Sequence, residues 1–137
     1  DFNVGNLNIY LHINSFGGSV FAGLSIIDTI ISNPIPITSI VEGSAASAAT
    51  IISVVCSERI IRPNSFMLIH QLSSGFWGKM EEIKDEFINL KKITKKIKSI
   101  YKEHTTIEKE HLKGLLKRDL WLDSNECLEY GLVDKVE

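Results

Sequence analysis

Three residues of this chain have side chains that could do nucleophilic chemistry together: Ser47, in EGSAASAATIIS; His70, at the end of the apolar run FMLIH; and Asp119, in KRDLWLDSNE. A serine hydroxyl is a poor nucleophile at neutral pH. It needs a base within hydrogen-bond reach, and the base needs an acceptor that holds its tautomer. Members of such a triad meet in space, and their order along the chain differs between folds. Each residue is therefore weighed separately.

Ser47 stands where an apolar run gives way to a helix-prone one, flanked by Ala45, Ala46, Ala48 and Ala49. Such small side chains forgo the burial that bulk supplies, and they let another backbone or a ligand come close. The first N–H groups of a helix lack intrahelical acceptors and suit an anionic oxygen. The same serine would equally serve as a helix N-cap, and its setting is not G-x-S-x-G. His70 at a strand end can face a cleft, or it can be a structural histidine making one hydrogen bond. Asp119 reads as an orienting acid or as a solvated loop carboxylate. Its neighbour Asp123 suits a cap before the last helix better. Gly17-Gly18 follow a strand pattern, and the bare N–H of Gly18 could donate to an oxyanion; neither a P-loop nor a G-x-G-x-x-G pattern is present. His12, His104 and His111 sit in a strand pattern or on charged helix surface, and no H-x-x-x-H occurs, so no metal site is expected.

The elements that must position these residues alternate between strand and helix patterns. Residues 7–13 alternate in polarity and predict a strand. Residues 20–32 repeat Val20, Leu24, Ile27 and Ile31 at helical spacing and are stopped by Pro34 and Pro36. Residues 37–41 predict a buried strand, then a turn of small residues, then a helix over 47–55. Short strands are expected at 60–61 and 65–69. Residues 79–104 carry Ile83, Phe87, Leu90, Ile93, Ile97 and Ile100 on one stripe, with acids early and lysines late, an order that suits the helix dipole. Thr105 with Glu108 predicts a capping box for a helix to Lys117. A helix from Ser124 stopped by Gly131 and a strand over 132–136 close the chain. This order implies a layered α/β fold.

The 137 residues suit one domain. A net charge of −2 supplies no basic field for nucleic acid. No apolar run approaches the roughly 18 residues of a membrane span, and the N-terminus lacks a secretory pattern. The two cysteines, Cys56 and Cys127, read as reduced, half-buried thiols.

Taken in order, INSFGGSVFAGLSIIDTI, EGSAASAAT, RPNSFMLIHQ and KRDLWLDSNECLEYGLVD resemble the proteolytic subunits of Clp-type proteases, the ClpP family, over about residues 7–137. The resemblance implies a crotonase-like α/β fold with a projecting handle helix, here residues 79–104. It implies a single peptidase domain over residues 1–137 without the family's N-terminal segment. By position it makes Ser47 the nucleophile, His70 the general base, Asp119 the orienting acid, and Gly18 and Ala48 the oxyanion-hole donors. Gln71, Gly75 and Phe76 match the segment that lines the substrate channel. It further implies serine endopeptidase activity on unfolded polypeptide inside stacked heptameric rings, a tetradecamer in the cytoplasm or an organelle matrix. An AAA+ unfoldase partner would use ATP, and this chain would need no cofactor. Phe16 stands where the family usually has Pro, Ala48-Ala49 where it has Met-Gly, Leu72 where it has Pro, and Lys117 where it has an acid. The alternatives are a non-catalytic ring subunit of the same fold and a related viral maturation protease.

Overall fold

A computed structural model describes residues 4–137. Its centre is the ten-residue strand β2 (Ile37–Ala46), a run of β-branched residues ending in small ones. Strand β1 (Ile9–Ser15) lies parallel along one edge, from Ile9 opposite Ile37 to Ser15 opposite Ala45, with a register shift between Ile13 and Ser15. Two strands share the other edge in turn. β3 (Glu58–Ile61) pairs with residues 38–41, and β4 (Phe66–Leu68) pairs with residues 44–46, both parallel. β5 (Trp121–Leu122) closes the sheet antiparallel to β4, and β6 (Lys135–Val136) closes it parallel to β3. The fold is a mixed α/β one: parallel strands joined through helices.

The sheet connections are made by α1 (Val20–Ser32), between β1 and β2, and α2 (Ala48–Val54), between β2 and β3. Ser19 caps α1, its Oγ accepting from the Ala22 N–H at 3.3 Å, and Pro34 bars its continuation. α2 is almost wholly buried and packs on β2, α1 and α3 (Met80–His104). One core joins these elements, with Val41, Ile51, Ile61, Met67, Tyr101 and Leu132 near its centre.

Several expectations need correction. The small residues 42–46 are strand, not turn, because β1 and β4 flank them as ladder partners. Thr105 caps the C-terminus of α3 instead of opening the next helix: its hydroxyl donates to the Tyr101 carbonyl at 2.6 Å. Glu108 is the N-cap of α4 (Lys109–Leu115). The closing strand covers only residues 135–136, since Leu132 and Val133 are occupied by N–H bonds to the Cys127 carbonyl. Both cysteines are free and buried rather than half-buried. In the α3 stripe only Ile97 and Ile100 are buried, whereas Ile83 and Phe87 are 49% and 59% exposed. The last turns of α3 dock on the core and its first turns stand off it. The capping reading of Asp123 holds: it forms a reciprocal box with Glu126 at the start of α5 (Ser124–Glu129).

Candidate active site

Ser47 lies between the last residue of β2 and the first of α2, with φ 57° and ψ −124°. It is the one residue other than glycine with positive φ among the described residues. Such a conformation costs about 1–3 kcal/mol and persists only when its surroundings hold it. Here both adjoining peptide groups are held. The Ser47 N–H donates to the Leu68 carbonyl at 3.0 Å, and the Ser47 carbonyl accepts from the Thr50 N–H at 3.0 Å and the Thr50 hydroxyl at 2.6 Å. The expected N-cap role is therefore incomplete: the residue caps α2 with its carbonyl, while its side chain makes no capping bond.

The ladders explain how His70 and Asp119 arrive. Leu68, which holds Ser47, ends β4, and His70 follows two residues later. In the β4–β5 pair Leu68 faces Trp121. Extending that antiparallel register by two residues sets His70 opposite Asp119. Their Nδ1–Oδ1 distance is 3.7 Å, beyond a direct hydrogen bond. The His70 side chain is 29% exposed and that of Asp119 83%. Ser47 and His70 line one cavity of about 120 Å³, and Ser47 Oγ makes no hydrogen bond among the described residues. Resting active sites often hold such contacts long, to tighten with substrate.

Gly18 and Ala48 line the same cavity, and neither N–H has an acceptor among the described residues. A side chain at Gly18 would meet nothing within 4 Å, so the space over its backbone is open to a ligand. Gly17, at φ 91°, shows the opposite: a Cβ there would fall 2.6 Å from the Ala46 carbonyl oxygen and 2.9 Å from Ser47 Cβ. The glycine loop therefore rests directly on the Ser47 turn. Phe16, just before it, packs edge-on against Trp121 across a 6.3 Å centroid separation, tying that loop to β5. Gln71 and Leu72 line the cavity, and Gly75 and Phe76 do not; they lie in the exposed stretch before α3.

Two residues that sequence reasoning missed lie under the site. Thr50 and Tyr101 are buried and hydrogen-bonded to each other, and Tyr101 lines the cavity with Ser47. The available signal was a tyrosine four residues after Ile97 on a buried stripe, a hydroxyl in need of a partner. Among the described residues no group of three His, Cys, Asp or Glu side chains could hold a metal ion. No helix there is long and apolar enough to cross a membrane.

The ATP-dependent Clp protease proteolytic subunit of Deinococcus radiodurans is 34% identical over 130 residues, which are 93% of this chain and 64% of that protein. The ATP-dependent Clp protease proteolytic subunit 2 of Treponema denticola is 38% identical over 130 residues, 93% of this chain and 65% of that one. The chain thus spans just under two thirds of the length of these relatives. The family model described as Clp protease matches residues 3–137. On that match, which takes in the Ser47 turn, the end of β4 and the residues before β5, the chain belongs to the Clp protease family.

Proposed function

We propose that this chain is the proteolytic part of a Clp-type protease, a single crotonase-like peptidase domain acting as a serine endopeptidase on polypeptides. The observation that carries the reading is the meeting of Ser47, His70 and Asp119 at adjoining strand ends beside two free backbone N–H groups. Ser47 Oγ attacks the scissile carbonyl carbon as His70 takes its proton. Asp119 holds the imidazole and stabilises its cation, once substrate draws the 3.7 Å pair together. The Gly18 and Ala48 N–H groups receive the oxyanion. The C–N bond then breaks as His70 protonates the leaving amine. Water, losing its proton to His70, adds to the acyl ester, and the Ser47 oxygen leaves and recovers a proton. The substrate backbone adds as a strand beside the site, which tolerates many sequences. The exposed first turns of α3, with Ile83, Phe87 and Ile88, support a handle role between stacked rings, fed by an AAA+ unfoldase.

A second reading, a non-catalytic ring subunit, rests on the unbonded Ser47 Oγ and the open His70–Asp119 pair. Fluorophosphonate labelling with mass mapping separates the two. The peptidase reading expects a label on Ser47 that is absent in Ser47→Ala and strongly slowed in His70→Ala. An assembled, folded sample that takes no label favours the non-catalytic subunit.

A further inference from the structure

The Thr50 hydroxyl has a single proton, and its bond to the Ser47 carbonyl uses it. The contact between Thr50 Oγ1 and the Tyr101 oxygen is therefore donated by Tyr101. The result is a directed chain: the Tyr101 hydroxyl donates to Thr50, and the Thr50 hydroxyl donates to the carbonyl of Ser47. Thr50 is 0% exposed and Tyr101 2%, so the chain of hydroxyls lies in the protein interior. Burial raises the Tyr101 phenol well above its ordinary value, which keeps it a donor. Replacing both partners of a buried hydrogen bond by apolar groups of the same shape can be nearly neutral, so the Tyr101–Thr50 bond taken alone is no strong stabiliser. What an apolar pair would not do is hold the strained Ser47 peptide. Bonds in such a chain polarise one another, so the bond at Ser47 is stronger for Tyr101 being present.

We infer that Thr50 and Tyr101 are positioning residues for Ser47, fixing the strained turn that presents its Oγ to substrate. Tyr101 lies in the docked part of α3, so the turn is braced by a helix distant from it in sequence. The inference rests on the peptidase reading for its kinetic consequence, though not for its structural one.

The test uses the full chain with Tyr101→Phe, Thr50→Val, Thr50→Ser and the double variant Tyr101→Phe/Thr50→Val. Two quantities are read: kcat and KM on a fluorogenic peptide, and hydrogen exchange at the Thr50 amide, which donates to the Ser47 carbonyl. Tyr101→Phe and Thr50→Val should each lower kcat by about tenfold with KM within about twofold, the scale of one lost hydrogen bond. Thr50→Ser should restore most of kcat. The double variant should be no slower than Thr50→Val, because the two hydroxyls act as one unit. Exchange at Thr50 should quicken in Tyr101→Phe. Unchanged kcat in Tyr101→Phe overturns the positioning role even if exchange quickens, and unchanged exchange overturns the brace itself. If the wild-type chain neither cleaves peptide nor labels at Ser47, the peptidase reading fails, and the exchange measurement alone decides whether the chain of hydroxyls holds the turn.

Discussion

Replacing Gly17 with alanine tests the geometry of the candidate site at one atom. The new Cβ would sit 2.6 Å from the Ala46 carbonyl oxygen, 2.9 Å from Ser47 Cβ and 3.0 Å from the Ala48 nitrogen. Two of these are backbone atoms, so no flexible side-chain end can give way. A φ of 91° adds a second cost, about 1–2 kcal/mol for any residue with a Cβ. With the collision included, the variant should lose about 2–4 kcal/mol, within reach of what a folded domain can absorb. The clash is relieved only if the glycine loop and the Ser47 turn move apart by a large fraction of an ångström. That displaces the Gly18 N–H relative to the Ala48 N–H, and a misplacement of about 1 Å costs roughly 10²-fold in rate. The assay is the rate of fluorophosphonate labelling at Ser47 in Gly17→Ala, followed by intact mass, with circular dichroism to show that the variant folds. Labelling at the wild-type rate in a fully folded Gly17→Ala would refute the claim that the loop is seated on the serine turn as a rate-determining contact.

Asp119→Asn should slow labelling by about 10²-fold or more while leaving thermal stability nearly unchanged, because its carboxylate is 83% exposed; a lowered melting temperature with full labelling would assign it a structural role instead. Asp134, hydrogen-bonded by the Arg59 guanidinium, is held below the usual carboxylate range. Its depressed value means that it contributes stability above the ordinary aspartate range, and this contribution is lost as pH falls through its own lower value. Asp134→Asn should therefore cost about 1–2 kcal/mol near pH 7, allowing for its partial exposure, and the difference from wild type should shrink in urea melts as pH falls below the ordinary aspartate range. The Cys56 and Cys127 thiols are pushed up to about 11 and about 12 by burial, so both should resist a thiol reagent at pH 7.5 in the native state and react together in denaturant.

How far the sequence revealed this molecule depends on whether a feature is local. α1 was legible from end to end because its apolar spacing and its prolines lie within or beside it. β2 was cut short in prediction because residues 42–46 have the composition of a turn. They extend as strand because partners from β1 and β4 flank them, and those partners are distant in sequence. Thr105 matched a capping-box spacing, yet the Tyr101 carbonyl one helical turn back claimed its hydroxyl first. The local surroundings of Ser47, His70 and Asp119 left each open to a structural role, and the resemblance to Clp-type subunits singled them out. Their meeting follows from strand register, which no single segment encodes. Thr50 and Tyr101 escaped notice because their significance arises only from contact with each other.

The two outer strands of the sheet carry a consequence for synthesis. β5 and β6 complete different neighbours, β4 and β3, yet both are drawn from residues 121–136. Arg59 waits for the same stretch, since its guanidinium binds Asp134, 75 positions later, together with the Gly131 carbonyl. At about 5–20 residues per second, a ribosome needs roughly 4–15 s to make that span. Until then β3 lacks its β6 partner and a charged arginine bound for burial lacks its counter-ion, and β4 waits in the same way for β5. Growing chains close together on one messenger would present these same edges to one another. Neither outer pairing of this sheet can therefore form until residues 121–136 have been made.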